Sequence, residues 1–83
     1  MNKADILKVV KETVNPFVST QSDFTADTEI LESGLIDSLN VLQVIAELER
    51  RFDLKIGPLD MTFDDFKTCQ TIADRIGKLL PSD

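Results

Sequence analysis

The chain has 83 residues, 42% apolar and 29% charged, with a formal net charge of -6. A chain this short buries only about 60% of its unfolded surface, so one core and a single domain over 1–83 are expected, without room for a deep catalytic cleft. There is no His, Tyr or Trp and one Cys, which removes the commonest general base and metal ligand and any internal disulfide framework.

The acidic balance argues against nucleic acid, whose phosphates need Lys and Arg patches, and favours basic surfaces on partner proteins. The opening "MNKADILKVVKETV" intersperses charges and lacks the apolar run of a signal peptide. No window approaches the ~18 apolar residues of a membrane span. A soluble, cytoplasmic monomer is expected.

Residues 3–14 predict a first helix, with Ile6, Leu7, Val10 and Val14 on one face and Lys3, Lys8, Lys11 and Glu12 on the other. Asn15-Pro16 should end it, because a residue before proline is pushed out of the helical region. Phe17 is expected to pack back against it. Residues 18–37 are polar and turn-rich, too long for a plain connector. Phe24, Ile30, Leu31, Leu35 and Ile36 are the expected anchors of this loop. Its five carboxylates (Asp23, Asp27, Glu29, Glu32, Asp37) have no basic residue among them and read as a solvated surface.

Residues 39–52 predict the clearest helix. Leu42, Ile45, Leu48 and Phe52 mark its apolar stripe, widened by Val41 and Val44, and Asn40, Gln43, Glu47 and Arg51 its polar face. Leu39 projects away from that stripe. Asp53 should close the helix before the Gly57-Pro58 loop. Thr62 and Asp65 resemble a capping box opening a very short helix through Phe63 and Phe66. Thr68 then caps a last helix over 69–80, with Ile72, Ile76, Leu79 and Leu80 at helical spacing and Pro81 beyond it. The expected architecture is all-α: a four-helix bundle of three main helices and one short third helix.

Ser38 falls at the start of the central helix in "SGLIDSLNVL". Capping accounts for a serine there, at about 1 kcal/mol. Asp37 is itself a good cap, however, which would spare Ser38. An exposed Leu39 is hard to justify within a monomer and easy to justify at a partner surface. A helix N-terminus also favours a phosphate, because its free N–H groups and its dipole both point there.

"GLIDSLNVLQVIAELERRFDLKI" resembles the central segment of acyl carrier proteins and related peptidyl and aminoacyl carrier domains. The resemblance covers most of the chain and implies the acyl-carrier type of four-helix bundle. It implies that Ser38 is esterified by 4′-phosphopantetheine, whose thiol holds acyl or aminoacyl groups as thioesters. Asp37 matches the acidic residue that helps the phosphopantetheinyl transferase by joining its magnesium site. Leu39 matches the hydrophobic residue near which the transferase and the loading and transfer enzymes dock along the second helix. Val44 and Ile45 sit where the resemblance would let them line an acyl-chain cavity, but ordinary core packing is the better reading of both. The long loop and the short third helix should be the mobile parts.

Carriers of fatty acid synthesis usually present an acidic second helix. Here Asn40 and Gln43 are neutral, Arg50-Arg51 replaces an acidic pair, and Asp37 to Phe52 holds three acids against two bases. A specialised, stand-alone acyl carrier is therefore expected, serving lipid or secondary-metabolite biosynthesis, with no catalytic residues and no metal site of its own. The alternative is an aminoacyl carrier such as a D-alanyl carrier protein, which "SGLIDS" and "FDDFKT" also resemble. A helical interaction module without a prosthetic group is a third reading. Cys69 has no histidine partner and reads as an apolar filler, and Asp64-Asp65 point in different directions on a helix.

Overall fold

The computed structural model describes residues 2–18 and 23–81. Among these the chain forms three α-helices, α1 (Lys3–Val14), α2 (Ser38–Phe52) and α3 (Cys69–Leu79), with short 3-10 helices at Asn15–Phe17 and Phe63–Phe66 and no strand. The short third helix expected from the sequence is thus a single 3-10 turn, and the bundle contains three α-helices rather than four. Residues 19–22 of the long loop lie outside the described residues.

Each helix starts where a side chain can replace the missing backbone acceptor. Asn2 caps α1 by accepting from the Asp5 N–H at 2.8 Å. Thr68 caps α3, its Oγ1 accepting from the Thr71 N–H at 3.1 Å. Asp53 closes α2 in the left-handed region at φ 52°. The prolines that follow α1 and α3 act differently. Leu80, before Pro81, is extended as a pre-proline residue prefers, so α3 ends one residue short of expectation. Asn15, before Pro16, instead keeps helical angles (φ -50°, ψ -43°). The Val18 N–H then bonds to the Asn15 carbonyl at 3.2 Å, and this extra turn carries Phe17 and Val18 onto the core.

The core joins Ile6, Val10 and Val14 of α1, Val41, Val44, Leu48 and Phe52 of α2, and Cys69, Ile72, Ala73 and Ile76 of α3. Helix α1 packs against both other helices, more extensively against α3. The stripe on α2 is rotated from the expected one. Its buried members are Val41, Val44, Leu48 and Phe52, whereas Leu42 is 63% exposed and Ile45 half-buried. The 0, 3, 7, 11 spacing of the buried set centres the stripe on Val44 and Leu48, which turns Leu42 outward.

The expected loop anchors all reach the core: Ile30 and Ile36 are buried, and Phe24, Leu31 and Leu35 pack against it. Backbone bonds fasten this loop to the start of α3. Ile30 N–H donates to the Lys67 carbonyl at 2.8 Å, and Gln70 N–H to the Ala26 carbonyl at 2.9 Å. Gly34, at φ 80°, then reverses the chain, a conformation a side chain would strain. The Ile36 N–H returns to the Ile30 carbonyl at 3.0 Å, so the loop delivers Asp37 and Ser38 to the head of α2 in a fixed position.

Candidate functional site at the head of the central helix

The head of α2 is built by Asp37 and Asn40. The Asp37 carboxylate accepts from the Asn40 N–H at 2.9 Å, and Asn40 Oδ1 accepts from the Asp37 N–H at 3.0 Å. Asp37 has extended angles and is the N-cap, which makes Ser38 the first helical residue. Capping is therefore done without Ser38. Its side chain is exposed and makes no hydrogen bond to a described residue. A hydroxyl placed this way is open to an enzyme, and a phosphodiester on it would lie beside the unsatisfied N–H groups of the first turn.

Asp37 is exposed beside it, and Leu39, one residue on, is 67% exposed, as its position off the stripe predicted. Leu42 adds a second outward leucine one turn further along, a residue that sequence reasoning assigned to the core. Its i, i+3 relation to Leu39 was the available signal. Leu42 borders a shallow cleft of about 180 Å³ with Ile45, Pro58, Met61 and Phe63. Val44 is fully buried in the core, while Ile45 sits at the edge of the cleft.

The carboxylates of α2 are locally engaged. Glu47 Oε2 lies 2.7 Å from Arg50 Nη2 and 3.7 Å from Arg51 Nε. The hydrogen bond from Arg50 holds the Glu47 carboxyl below the usual range, and the same bond raises Arg50. Glu49 accepts from the Ile56 N–H at 2.9 Å. Asn40 Nδ2 donates to Gln43 Oε1 at 2.9 Å, a neutral pair on this face.

The other sequence candidates lie apart from this site. Cys69 is buried, and desolvation pushes its thiol up to about 11 against a smaller opposing pull from Lys11, so it is a packing residue rather than a nucleophile. Asp65 turns to the Thr62 N–H at 2.9 Å and faces Arg75 at 3.5 Å, while its neighbour Asp64 is exposed, so the two carboxylates do not converge. The loop acids Asp23, Asp27, Glu29 and Glu32 are all exposed. Among the described residues no group of His, Cys, Asp or Glu is arranged to hold a metal ion, and no helix is long and apolar enough to cross a membrane.

Comparison with known proteins matches residues 4–76 to the family described as "Phosphopantetheine attachment site". The chain belongs to this family of phosphopantetheine-bearing carrier proteins. Its prosthetic group is accordingly 4′-phosphopantetheine, and it is a carrier and not an enzyme. Such carriers work with a phosphopantetheinyl transferase and with the enzymes that load and unload them. Similar curated proteins include the D-alanyl carrier protein of Streptococcus sanguinis (strain SK36), 29% identical over 77 residues, 93% of this chain and 92% of the relative. The D-alanyl carrier protein of Streptococcus mutans serotype c is 30% identical over the same shares. That of Lactococcus lactis subsp. cremoris (strain MG1363) is 36% identical over 50 residues, 60% of this chain and 63% of the relative.

Proposed function

We propose that Ser38 is the attachment point and that residues 1–83 form a cytoplasmic carrier domain. The observation that carries this is the division of labour at the head of α2: Asp37 makes the cap, and the Ser38 hydroxyl stays exposed and unpaired with any described residue. When attached, the group supplies a flexible arm ending in a thiol that holds its cargo as a thioester. The chain's own residues do the rest. Ser38 supplies the attacking hydroxyl, the α2 N–H groups favour the phosphate, and Asp37 adds a carboxylate for the transferase's metal. Leu39 provides an apolar contact for docking enzymes beside the attachment point.

The cargo best supported is an aminoacyl group, with D-alanine first, because the similar proteins are D-alanyl carriers. An acyl cargo of lipid or secondary-metabolite type is the second reading, and the apolar cleft beside Ile45 favours it. The attachment reading is tested by intact mass after incubation with coenzyme A and a phosphopantetheinyl transferase. A single phosphopantetheinyl gain, lost in Ser38→Ala, is expected; an unchanged mass would support an unmodified interaction module. Supplying the modified protein with D-alanine, ATP and a D-alanine-activating enzyme then separates the two cargo readings.

A further inference from the structure

We propose that the groove between α1 and α3 docks an acidic peptide segment of a partner protein, whose apolar side chains rest on the groove floor while its carboxylates meet Lys3 and Lys78. The groove is a cavity of about 570 Å³ walled by Lys3 and Ile6 of α1 and by Ala73, Asp74, Gly77 and Lys78 of α3. Gly77 singles it out. A glycine inside a helix is disfavoured relative to alanine unless the backbone needs it. Gly34 is needed for its φ of 80°, and at Gly57 a Cβ would crowd Asp60 Oδ2 at 3.2 Å. Gly77 has neither reason. It is helical, the C-cap of α3 is Leu80, and a Cβ would meet only Ile6 Cδ1 at an ordinary 3.8 Å. Close approach of another chain to the helix backbone supplies the missing reason.

Charge selects the occupant. In a chain of net charge -6, the groove walls hold two cations, Lys3 and Lys78, that make no ion pair with a described residue. The carboxylate among them, Asp74, accepts from Gln70 Nε2 at 2.9 Å. Asp5 and Lys8 are exposed on α1 but do not line the groove, and Arg75 turns to Asp65 at 3.5 Å. Carboxylates on the occupant therefore find two free partners, and its apolar side chains fill the space above Ile6 and Ala73. Ile6 lies beside Gly77 and Lys11 acts on Cys69, so α1 and α3 run antiparallel and Lys3 and Lys78 share one end. Backbone bonds from Ile36 to Ile30 and from Ile30 to Lys67 hold Ser38 at the other end, where an occupant of the lysine end leaves it accessible.

The test is an NMR titration of the full-length labelled protein with two short blocked peptides. One probe carries leucine and glutamate in amphipathic order, and the other has lysine in place of glutamate. Net charge alone favours the lysine probe, so the groove and the bulk charge predict opposite preferences. The glutamate probe is expected to bind about tenfold more tightly and to shift the amides of Ile6, Ala73 and Gly77 saturably. Gly77→Leu, which fills the groove, should weaken it about tenfold, and Lys3→Glu combined with Lys78→Glu should reverse the preference. Gly77→Ala should raise Tm, since it removes a helical glycine without a clash. No saturable binding of the glutamate probe, equal or tighter binding of the lysine probe, or shifts centred away from the groove would overturn the proposal. So would a Gly77→Leu protein that binds like the parent, or a Gly77→Ala protein of lowered Tm, which would make the glycine a requirement of the fold itself. None of these outcomes depends on where the prosthetic group is attached.

Discussion

Asp37 and Asn40 cap each other: the carboxylate of one accepts from the N–H of the other at 2.9 Å, and the amide oxygen returns the contact at 3.0 Å. This reciprocal pair starts α2 and leaves the residue between the cap and the helix body, Ser38, without a structural task. Asp37→Ala should cost about 1 kcal/mol, a fall of about 4–8 °C in Tm for a domain of this size. Asp37→Asn should keep that stability, since Asn caps as well as Asp, yet slow the transferase by removing the charge. Thermal denaturation and initial modification rates of both variants check the two halves. Equal rates for Asp37→Asn and the parent protein would confine Asp37 to capping.

The rotation of the α2 stripe predicts opposite outcomes for two leucines. Leu48 is fully buried and Leu42 is 63% exposed. Leu48→Ala should destabilise by about 2–5 kcal/mol through lost burial and a cavity. Leu42→Ala should stay within about 0.5 kcal/mol. Urea denaturation of the two variants decides between this stripe and one centred on Leu42.

Much of this arrangement is legible in the sequence, for reasons that can be traced residue by residue. The extent of α1 follows from Ile6, Val10 and Val14 at helical spacing, whereas Pro16 leaves Asn15 helical and the chain runs on into a 3-10 turn. The start of α3 follows from Thr68, and the outward position of Leu39 from its angle on α2. The stripe was misplaced because Leu42 and Ile45 are larger and more apolar than Val41 and Val44, and composition alone gave them the weight that spacing denies them. The bonds from Ile30 to Lys67 and from Gln70 to Ala26 leave no side-chain signature, so the contact of this loop with the start of α3 emerges only in three dimensions. The capping pair at Thr62 and Asp65 was visible, but four residues, Phe63–Phe66, close only a 3-10 turn.

Gly34 offers a test of how the loop positions the site. Its φ is 80°, and a Cβ built there would meet nothing within 4 Å, so any cost of Gly34→Ala comes from the backbone alone. That cost should be about 1–2 kcal/mol, the penalty of a left-handed conformation for a residue with a Cβ. Calorimetry gives the magnitude. A variant as stable as the parent would show that the turn relaxes without that conformation.

Cys69 predicts a pH dependence. Burial raises the folded thiol from its ordinary value of 9.0 to about 11, with Lys11 opposing weakly. The buried neutral thiol therefore contributes stability that is intact below about pH 9 and lost as the pH rises through about 11. Native protein at about pH 8 should alkylate with iodoacetamide far more slowly than urea-unfolded protein, because the thiolate is the nucleophile and this one is sealed. Equal rates in the two states would place the sulfur outside the core.

The most direct measurement is peptide mapping by tandem mass spectrometry after transferase treatment with coenzyme A. The account predicts that the phosphopantetheinyl fragment is released from one peptide and that backbone fragments bracket it to Ser38. The label on any other residue, or retained in Ser38→Ala, would contradict it.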